Sequence, residues 1–180
     1  MKKYKTWLGA LSALTLFSSF GLANAETKIL NYTDPVYKIE VKYPKTWTRK
    51  DGLKEYPGLI AVFLSARESA GDIFQENVNL IVQDLSTNPM TLSNYVLLST
   101  NQVNKLISES KILESQDFVW NGLPAHFMVY QGKQAQMLLK FYQAVTIKNS
   151  KAYLITYTAE IDKYDKFLSE AKIIIDSLKI

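Results

Sequence analysis

FYQAVTIKNSKAYLITYTAEIDKYDKFLSEAKIIIDSL, from Phe141 to Leu178, carries the reading of the fold. Its first half holds two runs, Phe141–Ile147 and Ala152–Thr158, dense in the aromatic and β-branched residues that favour strands. Lys148-Asn149-Ser150-Lys151 between them makes a tight turn, so the two runs are antiparallel neighbours. The second half changes period. Tyr164, Phe167, Leu168, Ala171, Ile174, Ile175 and Leu178 recur at the spacing of one buried helical face. Asp162 stands where a capping side chain belongs. A hairpin followed at once by an amphipathic helix calls for helices laid on an antiparallel sheet.

Upstream the same two periods return. VYKIEVKYP, Val36–Pro44, alternates strictly, with Ile39, Val41 and Tyr43 on one face and Lys38, Glu40 and Lys42 on the other. Pro44 ends that strand and Trp47 begins a short return. Leu59–Leu64 is apolar on both faces, as a central strand is, and Asn77–Leu85 alternates through Val78, Leu80 and Val82. Thr91 caps a helix whose stripe is Leu92, Tyr95, Val96, Ser99, Val103, Leu106 and Ile107. Further strands follow, with turns expected at Asn121-Gly122 and across Gln131–Gln136. The expected class is α+β, one central antiparallel sheet of about six or more strands flanked by helices.

Residues 1–25 are expected to be a cleavable export signal. Lys2, Lys3 and Lys5 form a positive start, an apolar run extends from Trp7 to Leu22, and Ala23-Asn24-Ala25 fits the small-residue cleavage pattern. Ser12, Thr15, Ser18, Ser19 and Gly21 dilute the run below the length and apolarity of a membrane span. Residues 26–180 then form a single domain, and no second apolar run in them approaches spanning length.

The whole chain carries 21 basic and 17 acidic residues, for a net charge of +4. Without the signal the balance is 18 basic against 17 acidic residues, scattered with no basic stripe, which argues against a nucleic-acid surface. There is no cysteine, hence no disulfide, thiol nucleophile or lipidated cysteine after the signal. The single histidine, His126, follows NGLPA and has no nucleophile motif to serve. It is expected to be a structural or surface residue, and no enzyme is expected. Tyr130, Tyr142 and Tyr157 are expected in the core, with an exposed aromatic face as the alternative.

Several strings resemble the PsbP family. YKIEVKYPKTWTRKDG (37–52), ENVNLIVQDLS (76–86), a helix opening MTLSNY (90–95), NGLPAH (121–126), KNSKAYLITYTAE (148–160) and DKYDKFLSEAKIIIDSLKI (162–180) follow one another in that family's order. The resemblance covers about Tyr37 to Ile180 and implies an α/β/α sandwich. Its best-known members are extrinsic subunits of photosystem II that help retain calcium and chloride in the oxygen-evolving complex. Many bacterial relatives sit in the envelope. Cyanobacterial members carry a lipidated cysteine, which this chain lacks. Plant members place a metal-binding histidine where this chain has Lys140, while Asp162 matches the family's acidic partner.

The resemblance and the signal together imply an exported, monomeric, non-enzymatic protein. It would act in the periplasm, or in the thylakoid lumen of a photosynthetic organism, as a binding or assembly accessory for an envelope or membrane-associated protein. The polar stretch Ser65–Asn77 reads as a long mobile loop, and Arg67, Glu68, Asp72 and Glu76 on it are the candidate partner-binding residues. No cofactor is expected. A divalent metal (calcium, zinc or manganese) at Asp162 with the loop carboxylates is the alternative.

Overall fold

The computed structural model describes residues 27–52 and 56–180, so the expected signal 1–25 lies outside the described residues. Ile29–Thr33 (β1) and Glu40–Pro44 (β2) pair as a separate two-stranded antiparallel sheet. Next come Thr48–Asp51 (β3), Leu59–Leu64 (β4), Asn77–Asp84 (β5) and the helix Leu92–Leu106 (α1). Four long strands follow: Ser108–Trp120 (β6), Leu123–Gln134 (β7), Met137–Lys148 (β8) and Lys151–Glu160 (β9). Tyr164–Asp176 (α2) is the last helix. The large sheet has seven antiparallel strands in the order β3-β4-β5-β9-β8-β7-β6.

Three two-residue turns drive the meander from β6 to β9. Asn121-Gly122 (φ 49° and 84°), Ala135-Gln136 (49° and 69°) and Asn149-Ser150 (51° and 56°) are all left-handed pairs. Such turns match the right-handed twist of the flanking strands. The turn expected over Gln131–Gln136 is therefore only its last two residues, and Gln131–Gln134 continue β7. Gly132 belongs in that strand because the start of β6 crosses it closely. A Cβ there would stand 2.4 Å from Ile107 Cγ2 and 2.9 Å from the Ser108 carbonyl oxygen.

The two faces of the sheet carry different cores. On one, Ile155 and Tyr157 of β9 and Phe63 and Leu80 meet Ile174, Ile175 and Leu178 of the α2 end, with Ile39 and Val41 of β2 closing the layer. On the other, Tyr95 of α1 packs with Leu85, Val145 and Leu154, and Val103 packs with Met128, Tyr130, Leu139 and Phe141. Each large aliphatic side chain so buried is worth about 1.5–3 kcal/mol. The result is an α/β/α sandwich. Tyr130, Tyr142 and Tyr157 are 5%, 7% and 0% exposed, which settles them in the core.

Several expectations are corrected in detail. The strand expected from Val36 begins only at Glu40. The Asp34 carboxylate accepts the amides of Val36 (3.0 Å) and Tyr37 (2.6 Å) and holds the chain in a turn through Lys38 at φ 58°. Thr91 does cap α1, its Oγ1 accepting the Asn94 amide at 3.2 Å. Leu106 leaves the expected stripe and is exposed, because Ile107 takes the place against β7. Asp162 does not cap α2. The cap position is Lys163, in helical geometry with no side-chain cap bond, and Asp162 is exposed in the preceding turn.

The β1–β2 sheet is tied to the C-terminus. The Glu40 amide donates to the Lys179 carbonyl at 3.0 Å and the Lys179 amide to the Glu40 carbonyl at 2.9 Å. No helix among the described residues is long and apolar enough to cross a membrane.

Candidate functional site

The Ser65–Asn77 loop is fastened down. Asp72 accepts the Glu68 amide at 3.0 Å, and Arg67 donates to the Asp72 carbonyl at 3.0 Å. Lys163, at the head of α2, then reaches Glu160 (2.7 Å), Glu68 (3.2 Å) and Asp72 (3.4 Å). Lys166 also bonds Glu68. The hydrogen bond to Glu160 pushes the Lys163 ammonium above its ordinary range. Of the four candidate residues, Asp72 and Glu76 are buried, while Arg67 and Glu68 lie at the surface. Ile73 at the loop tip is 84% exposed.

Glu76 is the costly member. It is fully buried, its Oε2 accepts from the Ser65 hydroxyl at 3.2 Å, and its Oε1 has no hydrogen-bond partner. Burial pushes its carboxyl above the usual carboxylate range, against the attraction of Lys163.

On the other flank of α2 the helix leaves part of the sheet uncovered. A groove of about 720 Å³ runs there between α2 and strands β6, β7 and β8. Its floor is aromatic. Phe127 stacks on Tyr142 with centroids 5.2 Å apart, Phe118 meets Phe127 edge-on at 5.6 Å, and Tyr164 of α2 closes the side. Its rim is charged. Lys140 Nζ sits 4.0 Å from the centre of the Tyr164 ring and 4.0 Å from Asp165. Lys172 Nζ sits 4.0 Å from the centre of the Tyr142 ring and 3.9 Å from Asp176. Both aspartates are too far for a hydrogen bond, so the ammonium donors are not spent on them.

No single stretch of sequence carries this groove, because its residues come from four elements. The signal was available only in combination: Phe118, Phe127 and Tyr142 occupy the same face of three successive strands. Lys140, which the resemblance aligns with a metal-binding histidine, puts an ammonium in that place. Asp162 is not among the groove's lining residues. Among the described residues no group of three or more histidine or acidic side chains is placed to hold a metal ion.

Of the two expected places for His126, structural or surface, it takes the buried, structural one and is fully engaged. Its Nδ1 lies 2.6 Å from Asp117 Oδ1 and its Nε2 2.9 Å from Ser115 Oγ. Serine, imidazole and carboxylate thus follow one another in the order a hydrolase uses. The trio stands on the α1 side of the sheet, with Met128 and Tyr130, away from the groove. The Asp117 side chain is 86% exposed, so water screens the carboxylate that would orient the ring. The arrangement fastens β6 to β7.

No family profile and no curated protein sequence matches the chain. Solved structures do. LpqN of Mycobacterium tuberculosis, involved in cell envelope biogenesis, superposes with a TM-score of 0.64 at 10% identity, covering 86% of this chain and 91% of its own. CyanoP, the cyanobacterial PsbP of Synechocystis sp. PCC 6803, gives a TM-score of 0.60 at 17% identity, with 91% and 98% coverage. PA94 of Pseudomonas aeruginosa gives 0.58 at 14%, with 84% and 96% coverage. At these identities the likeness is one of fold: the chain has the PsbP-like α+β fold.

Proposed function

We propose that the protein is a non-enzymatic binding domain that acts outside the cytoplasm as an accessory to an envelope or membrane-associated protein, and that it grips this partner through the aromatic groove. The observation that carries the reading is the groove's make-up. An aromatic floor ringed by paired charges is the composition of a protein-binding hot spot, where a desolvated centre supplies affinity and a polar rim supplies orientation. The signal-like residues 1–25 support export, and the fold shared with CyanoP and LpqN supports an accessory role. Arg67, Glu68 and Ile73, across α2 from the groove, extend the same surface.

Site-specific photo-crosslinking in the native cells tests the reading. A crosslinking residue goes in turn at Glu114 (exposed, on the groove), at Ile73 on the loop tip, and at Leu97 (60% exposed, on α1 of the opposite face). One reproducible envelope protein captured from Glu114 and not from Leu97 is expected. Capture from Leu97 alone, or equal capture from both, refutes the groove as the contact. Capture from Ile73 decides whether the loop joins it.

A further inference from the structure

Strand β6 forms one edge of the seven-stranded sheet and is paired only with β7 among the described residues. The hairpin at Asn121-Gly122 fixes which of its backbone groups are spent. In a two-residue hairpin the flanking pair, here Trp120 and Leu123, exchanges both hydrogen bonds. The register runs uninterrupted from that pair back to Glu114 opposite Val129. Alternation therefore turns the N–H and C=O of Phe118, Gln116 and Glu114 inward to β7. Those of Ser115, Asp117 and Val119 face out of the sheet. The side chains alternate in step: Glu114 and Phe118 line the groove, while Ser115 and Asp117 face the α1 side with His126.

The other edge offers nothing comparable. β3 has four residues and carries Arg49, Lys50 and Asp51, the short charged edge that resists pairing. The first half of β6 is also blunted, by register shifts between Ser108 and Lys111 and between Ile112 and Glu114. The regular, open stretch is confined to Glu114–Trp120, alongside the groove.

We infer that the groove's occupant is an extended polypeptide segment of the partner. It adds as an eighth strand along Ser115, Asp117 and Val119 and lowers its alternate, apolar side chains beside Phe118 into the trough. The inference rests on the groove being the contact surface. Main-chain bonds to the edge give affinity, and the pocket for alternate side chains gives specificity. The partner strand's other face meets Asp117, whose side chain is 86% exposed, so a lysine or arginine belongs there. A second copy of this chain is disfavoured: antiparallel self-pairing centred on Asp117, the middle of the open stretch, would set two carboxylates face to face.

The test selects a display library of random linear peptides on the protein, then titrates the enriched peptides, fluorescein-labelled, against the wild type and two variants. Val119→Pro removes one outward N–H and leaves the ladder to β7 intact, a substitution an edge strand tolerates. Phe118→Ala removes part of the groove floor. The expected peptides alternate apolar and polar residues with a lysine or arginine. They bind Val119→Pro about tenfold more weakly, the worth of one backbone hydrogen bond, and they bind Phe118→Ala more weakly too. Hydrogen exchange on the wild-type complex should slow the amides of Ser115, Asp117 and Val119 together, a readout that stands even if Val119→Pro misfolds. Full binding to Val119→Pro with loss on Phe118→Ala overturns strand addition and leaves the groove. Full binding to both, with unprotected edge amides, overturns both readings. An empty selection overturns strand addition, while crosslinking from Glu114 still tests the groove on its own.

Discussion

Trp120→Phe should destabilise the protein more than Trp47→Phe, although both remove the same atoms. Trp120 and Trp47 are 5% and 2% exposed, so the lost packing is nearly equal. What differs is the acceptor left behind. The Trp120 indole N–H donates at 3.1 Å to the carbonyl of Ile175, a fully buried residue in the last turn of α2. That carbonyl lies past the regular helix ladder and otherwise accepts the longer 3.3 Å bond from the Leu178 amide. The Trp47 indole instead bonds the Glu170 carboxylate, which lies near enough to the surface to take a water in its place. Losing the shorter of two bonds to a buried acceptor costs about 0.5–1.5 kcal/mol, and leaving a hydrated acceptor costs little. The two variants should therefore differ by about 0.5–1 kcal/mol, or roughly 1–4 °C in Tm for a domain of this size. Urea and thermal unfolding of the wild type and both variants supply the comparison. Equal Tm values, or a larger loss for Trp47→Phe, would refute the reasoning, because the end of α2 would then be satisfied without β6.

Glu76→Gln should change the pH dependence of stability. The folded carboxyl has a raised pKa, so the stability it contributes is present below the ordinary value of 4.5 and is lost as pH rises through the folded pKa. The variant should gain on the wild type from pH 5 to pH 8, roughly the window above that ordinary value, and urea midpoints that move in parallel would dismiss the effect. Lys163→Met removes the cation shared by Glu68, Asp72 and Glu160. Partly exposed ion pairs of this kind are worth about 1 kcal/mol together, so thermolysin should cut the 65–77 loop about fivefold faster. An unchanged cleavage rate would show that the loop's remaining bonds, among them Ser65 to Glu76 and the Glu68 amide to Asp72, hold it without Lys163.

Local chemistry was legible in the sequence wherever one period governed a segment. The α2 stripe is buried at Tyr164, Ala171, Ile174 and Ile175 as spaced, and the Thr91 cap and the Asn121-Gly122 and Asn149-Ser150 turns stand where their residue types put them. Competing local bonds hid the rest. The Asp34 carboxylate converts an alternating stretch into a turn, and Ala135-Gln136 makes a left-handed turn without glycine or asparagine. The loop looked solvated because its charges are dense, yet Lys163, ninety-one residues from Asp72, draws them in. The groove was illegible for the same reason. It is a juxtaposition of strand faces and a helix flank, and no single segment carries its signature.

The strand order has a consequence for how the molecule is made. The half-sheet β3-β4-β5 and the half-sheet β8-β7-β6 touch only through β9, the last strand synthesised. Until residues 151–160 exist, neither half has its central neighbour and α2 has no sheet to cover. A chain delivered from its N-terminus thus stays open, its two halves unjoined, through most of its synthesis. Closure is a single late event, sealed when Lys179 bonds Glu40 and the two ends of the domain meet.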